Sequence, residues 1–167
     1  ATVASGDFNG DCFAALALGA PDDSSSLSPG PATVLYGTAS GLSAIAATLM
    51  QLCDTGDHVV ASRTVYGGTF AMLRDYLPVK TGITTTFVDV SDLSAVERAF
   101  APRTRVLFCE TVSNPTLRVA DIPGLAAIAH RHGAYLVVDN TFAPLIIAPL
   151  QHGADVVVHS LTKFMNG

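Results

Sequence analysis

The rhythm of apolar and polar positions changes near residue 40 of this chain. Before it, two short apolar runs, "FAALALG" and "ATVLYG", flank "PDDSSSLSPGP", a segment that carries every signal of a loop. That texture predicts a β-hairpin or one blade fragment. From Leu42 onward apolar helices alternate with β-branched strands, repeating about every 25 to 30 residues, the pattern of βαβ units around a parallel sheet. The elements expected there are a helix near 42–53, a strand "HVVAS", a helix "GTFAMLRDYL" and a strand "TTTFVDV". A helix from about Asp92 to Phe100, the strand "TRVLFCE" and a helix near "IPGLAAIAHRH" follow, the last with Pro123 in its first turn and Gly133 as its stop. Two buried strands, "AYLVVD" and "DVVVHS", close the pattern, with a short helical segment before Gly153 between them. The expected architecture is α/β, a mainly parallel sheet over residues 39–167 preceded by a short β-rich segment over 1–38.

Sheets of this kind place ligands beyond the carboxyl ends of their strands. After "AYLVV" stand Asp139, Asn140 and Thr141, and after "DVVV" stand His159, Ser160, Leu161, Thr162 and Lys163. A carboxylate ending an apolar strand is poorly solvated and needs a cation. Lys163 can supply it as a structural ion pair, or both groups can face a ligand. Ser40 and Gly41 before the helix at 42 make either a plain N-cap or a phosphate site, where backbone N–H groups and the positive end of the helix dipole meet an anion. Tyr66 adds an aromatic face after "HVVAS", or is a half-buried loop aromatic. Taken together, an amine, a carboxylate, hydroxyls beside a helix N-terminus and a ring match pyridoxal phosphate. The amine would bond its aldehyde, and the carboxylate would keep its pyridine nitrogen protonated so that the ring accepts electrons from a carbanion.

Composition narrows the alternatives. Of 167 residues 49% are apolar, enough for one domain with a real core. Nine basic against 14 acidic residues give a net charge of -5, and the basic ones, all from Arg63 onward, form no cluster to neutralise a phosphate backbone. Nucleic acid is not an expected partner. The apolar runs are too short, or too rich in proline, to span a bilayer, so no membrane partner is expected either. The start "ATVASGDFNG" lacks the basic and apolar regions of a signal peptide and reads as a processed or excised end. Cys12, Cys53 and Cys109 show no metal or disulfide spacing and read as small apolar residues.

From about Ser40 to Gly167, the ordered motifs "SGLSAI", "GDHVVAS", "VYGGT", "ETVSNPT", "VVDNTFA" and "HSLTK" resemble the cysteine/methionine-metabolism family of pyridoxal-phosphate enzymes. This family includes cystathionine γ-synthases and lyases, methionine γ-lyases and O-acylhomoserine sulfhydrylases. The resemblance implies a partial large domain of the fold type I kind, a cytoplasmic location, a homo-oligomer, and γ- or β-elimination or replacement on a sulfur amino acid or O-acylhomoserine. By it Lys163 is the Schiff-base lysine, Asp139 the partner of the pyridine nitrogen, and Tyr66 the stacking ring and acid/base candidate. The backbone of Gly41 and Leu42 with Ser160 and Thr162 would hold the phosphate, next to Ser40. Asn114 would lie near the ring hydroxyl, Thr141 close to the ring, and Glu110 in support. The family continues well beyond the lysine, including an Arg that grips the substrate carboxylate, so a chain cut off there is expected to be inactive by itself.

Residues 1–44, "VASGDFNGDCFAALALGAP" and "ATVLYGTASGLS", resemble instead the FG-GAP repeat of integrin-type β-propellers, which would suggest an extracellular origin. Asp7, Asn9 and Asp11 follow an EF-hand-like calcium pattern. Cys12 stands where the family turn has Gly and Ala15 where it has a carboxylate, so useful calcium binding is not expected. Both families can write "ASGLS" at 39–43, where the two segments would join. The alternatives to an enzyme fragment are thus a calcium-binding adhesion module, lacking here any further acidic loop, and a non-catalytic chimeric scaffold.

Overall fold

The computed structural model describes residues 2–6, 15–19, 32–36 and 42–165, the first three stretches as backbone strands. These are β1 (Thr2–Gly6), β2 (Ala15–Gly19) and β3 (Ala32–Tyr36). The parallel part follows as α1 (Leu42–Leu52), β4 (His58–Ser62), α2 (Gly67–Ala71), α3 (Leu77–Thr81), β5 (Thr84–Val88) and α4 (Leu93–Ala99). It ends with β6 (Thr104–Glu110), α5 (Ile122–Arg131), β7 (Tyr135–Asp139) and β8 (Val156–Ser160). One eight-stranded sheet runs in the order β1-β2-β3-β8-β7-β6-β4-β5. The first three strands are an antiparallel meander, so the expected hairpin β2–β3 gains β1, and β3 continues the sheet by pairing parallel with β8. Every pairing from β3 through β5 is parallel.

Strand pleating sorts the core into two layers, because successive side chains point to opposite faces. Val59 and Ala61 of β4, Val106 and Phe108 of β6, Val137 of β7, and Val156 and Val158 of β8 pack with Ala44, Ile45 and Leu49 of α1 and with Leu73 and Leu77. The alternate residues Val60, Leu107, Cys109, Leu136, Val138 and Val157 pack against Val96 of α4 and Leu125, Ile128 and Ala129 of α5. Strands covered on both faces read as continuous apolar runs, which is why "VVV" and "VLFC" carry no alternation.

Local signals set the helix ends. Asp92 caps α4 by accepting from the Ala95 N–H at 2.9 Å, and Asp121 caps α5 by accepting from Gly124 at 3.1 Å, with Pro123 in its first turn. Gly153 follows a 3-10 turn, Pro149–His152, at φ +98° with Ala126 packed so close that an added Cβ would lie 2.8 Å from it. The helix expected at "GTFAMLRDYL" is instead α2 and α3 joined through a π turn, Met72–Tyr76. Pro78 follows after Leu77; it has no N–H to donate and its ring clashes with a regular turn before it, so the wider turn accommodates it. Cys53 and Cys109 are free and buried, and burial pushes both thiols up to about 12. No helix among the described residues is long and apolar enough to cross a membrane.

Phe108 is wholly buried at the centre of the α1 layer, whereas Leu145 is 93% exposed. Phe108→Ala is expected to cost about 3–5 kcal/mol in urea denaturation, and Leu145→Ala within about 0.5 kcal/mol. Equal losses would contradict this layering.

Candidate functional site

The apolar rows on the α1 face each end in a polar residue. Val106-Phe108 continues to Glu110, Val137 to Asp139, and Val156-Val158 to Ser160. Parallel register brings Glu110 opposite Asp139, and Asp139 opposite Val158. One rim therefore carries two carboxyls and a hydroxyl, and the first residues of α1 face it. Between them lies a cavity of ≈ 290 Å³, lined among others by Leu42, Ile45, Tyr66, Asp139, Ser160 and Lys163.

Hydrogen bonds tie the loops around this cavity together in two sets. The Thr141 N–H donates to Asp139 Oδ1 at 2.9 Å, and the Ser160 N–H donates to Thr141 Oγ1 at 2.8 Å. Ser160 and Thr162 hydroxyls meet at 3.1 Å, and the Lys163 N–H donates to the Ser160 carbonyl at 3.3 Å. A second set starts at Glu110, whose Oε1 accepts from the Tyr66 N–H at 2.7 Å and whose Oε2 accepts from the Asn114 N–H at 3.1 Å. Tyr66 precedes α2 with its ring folded back, and Gly68 makes the room, since a Cβ there would lie 2.9 Å from Tyr66 Cε1.

Electrostatically the rim is an acidic site without a cation bonded to it. None of the ion pairs among the described residues involves Asp139, Glu110 or Lys163. The structural Asp139–Lys163 pair, the alternative reading of these two residues, is thus not formed. Asp139 is part-buried, and the protein around it desolvates the carboxylate and raises its pKa, against the two opposing hydrogen bonds from Thr141. Burial likewise lifts Glu110 to about 7, opposed by the Tyr66 and Asn114 N–H groups and assisted by the charge of Asp139.

Of the residues expected at the site, Leu42, Tyr66, Asn114, Asp139, Thr141, Ser160 and Lys163 line the cavity, and Thr162 reaches it through Ser160. Ser40, Gly41 and the calcium candidates Asp7, Asn9 and Asp11 lie outside the described residues. Phe142 and Phe164 escaped the sequence reading. Their rings meet edge to face at 5.2 Å and both line the cavity. Their position directly after Thr141 and Lys163, in strand-end loops, was the available signal.

Residues 25–167 match the family described as Cys/Met metabolism PLP-dependent enzyme, a match that begins upstream of the boundary expected at residue 39. The chain is 55% identical over 133 residues to methionine gamma-lyase of Arabidopsis thaliana, covering 79% of this chain and 30% of that protein. It is 48% identical over 131 residues to O-succinylhomoserine sulfhydrylase of Pseudomonas aeruginosa, covering 78% of this chain and 32% of that protein. Among solved structures, a putative O-acetylhomoserine (thiol)-lyase from Campylobacter jejuni, containing N'-pyridoxyl-lysine-5'-monophosphate, superposes with a TM-score of 0.72 at 36% identity. That superposition covers 77% of this chain and 32% of that one. The chain thus spans about a third of the length of these relatives.

The site's pH behaviour is testable without any ligand. Glu110 has a folded-state pKa raised from 4.5 to about 7, so its stabilising contribution is complete below the lower value and is lost as pH rises through the upper one. Between about pH 5 and pH 8 the unmodified chain is expected to lose on the order of 3 kcal/mol relative to Glu110→Gln. Because Glu110 feels the charge of Asp139, the pH window of this loss belongs to the pair, whereas the shifts at His58 and His159 are common to both chains and cancel in this difference. Parallel pH–stability curves from urea denaturation would show that the carboxyl is not desolvated.

Proposed function

The chain belongs to the Cys/Met metabolism PLP-dependent enzyme family, and from that premise we propose that the cavity at its strand ends is the pyridoxal-phosphate site of an enzyme acting on sulfur amino acids. The observation that carries this reading is Asp139, a desolvated carboxylate with no cationic partner among the described residues, facing the same cavity as an exposed lysine. A protonated pyridine nitrogen is the kind of cation that fits it, and Lys163 would tether the cofactor by its aldehyde. When bound, the cofactor supplies an electron sink for a carbanion at the amino-acid α carbon.

The remaining roles follow from chemistry and position. Tyr66 offers the ring a stacking face, and its phenol an acid or base near a leaving group. The hydroxyls of Ser160 and Thr162, with the backbone amides of Gly41 and Leu42 and with Ser40 next to them in sequence, would take the phosphate. Asn114 and Thr141 would border the ring, while Phe142 and Phe164 exclude water from one side. Methionine, cystathionine or an O-acylhomoserine is the proposed substrate class, with γ- or β-elimination or replacement as the reaction. The cavity's described lining contains one amine and no guanidinium, so a substrate carboxylate finds no strong clamp there. We therefore read the 167-residue chain as able to hold cofactor without turning substrate over.

Three further readings belong with this one. Association of copies is supported by exposed Leu145, Ile146 and Phe164, and a cytoplasmic location by the family. For residues 1–38 we keep the FG-GAP-like reading, supported by the acidic sequence "DFNGD" and the apolar run after it, while residues 25–38 also fall inside the family match.

Reductive trapping tests the site. The chain is incubated with pyridoxal phosphate, reduced with borohydride and digested for peptide mapping. The label is expected on Lys163 and not on Lys80, the other lysine of the sequence, while the unreduced preparation releases no ammonia from methionine or O-acetylhomoserine. Equal labelling of both lysines would contradict the assignment of the site, and turnover lost on Lys163→Ala would contradict the reading of inactivity.

A further inference from the structure

The two bonds at Glu110 span two different loops. Tyr66 lies 44 residues from Glu110, in the segment joining β4 to α2, and Asn114 lies 4 residues from it, in the loop that follows β6. Each oxygen of the carboxylate takes one backbone N–H, so both acceptors are used on main-chain groups and neither on a side chain. The loop after β6 is braced internally by Ser113 N–H to the Arg118 carbonyl at 2.9 Å and by Ala120 N–H to the Thr111 carbonyl at 3.0 Å, and outward by Thr111 N–H to the Asp139 carbonyl at 2.9 Å and by Arg118 to Asp89 Oδ2 at 2.8 Å. Among the described residues these internal bonds do not reach Tyr66. Among the described residues only Glu110 joins the two loops by hydrogen bonds, and it sits 8% exposed at the end of a central strand.

We propose that Glu110 is a positioning residue, a two-pronged acceptor that sets the Tyr66 ring and the Asn114 side chain at one spacing across the cavity mouth. A backbone N–H held at 2.7 Å fixes where the Tyr66 Cα stands, and the ring, 55% exposed, takes its position from that anchor and from the gap above Gly68. A charged acceptor suits this task because its bonds are stronger than neutral ones and the buried setting leaves water little access to compete. The burial that makes the carboxyl hard to ionise is offset in part by the same two donors. What the spacing serves depends on the proposed cofactor site; the clamp itself depends only on these hydrogen bonds.

Amide hydrogen exchange on the cofactor-free chain separates the two. In Glu110→Ala the Tyr66 and Asn114 amides are expected to exchange at least about tenfold faster, the loss of a hydrogen bond to a charged group, while Phe108 and Val137 amides keep their protection. Glu110→Gln, with one acceptor oxygen left, releases one of the two amides and retains the other. Unchanged protection of both in Glu110→Ala, or equal loss across β6 and β7, would overturn the clamp. Pyridoxal phosphate is then titrated into each chain. Weaker affinity and a smaller induced circular-dichroism band in Glu110→Ala, partly restored in Glu110→Gln, are the expected result. Released amides with an unaltered band and affinity would overturn the positioning role. Absence of any binding by the unmodified chain would instead count against the cofactor site, leaving the clamp to stand or fall on the exchange data.

Discussion

A strand covered on both faces can accept a charged side chain only at its end, where the sheet meets water. This constraint organises the molecule. Leu136, Val137 and Val138 are completely buried, so Asp139 is where β7 can carry a carboxylate at its carboxyl end, and Glu110 holds the same place on β6. Parallel pairing then aligns the ends, and pleating points Glu110, Asp139 and Ser160 to the α1 face. The acidic rim is a consequence of register, and what register cannot provide is a cation to match it.

The loops answer part of that need. Backbone N–H groups of Thr141, Tyr66 and Asn114 satisfy carboxylate oxygens that burial has stripped of water. Those same bonds hold the loops in place, one set reaching from Asp139 to Lys163 and a second joining Glu110 to Tyr66 and Asn114. Stability and loop geometry are coupled here: a change that frees a carboxyl oxygen also frees a loop. Among the relatives, O-succinylhomoserine sulfhydrylase and methionine gamma-lyase differ in name while both align with this segment. Reaction choice is therefore not decided by the residues shared over this third of their length.

The parallel units were legible because their signals are local. "HVVAS" and "TRVLFCE" coincide with β4 and β6, Asp92 and Asp121 cap the helices they precede, and Gly133 ends α5 in a left-handed turn at φ +66°. Asp139, Ser160 and Lys163 stood out because each follows an apolar strand. Strand order was not legible: β8 lies beside β3 although more than a hundred residues separate them, and no periodicity encodes that choice. The π turn before Pro78 read as ordinary helix because its apolar spacing continues through it. The bond from Tyr66 to Glu110 joins positions whose sequence neighbourhoods are unrelated, so the carboxyl read as a strand-end acid in support of the site, without its partners.

The Asp139 carboxylate has no protein cation bonded to it among the described residues, and we propose that a cofactor supplies one. The most direct test of this proposal is the dissociation constant of pyridoxal phosphate for Asp139→Asn, which keeps the shape and removes the charge. Weakening by about tenfold or more, as for loss of a hydrogen bond to a charged group, with a melting temperature no lower than that of the unmodified chain, is the predicted result. An affinity and absorption spectrum equal to those of the unmodified chain would contradict it.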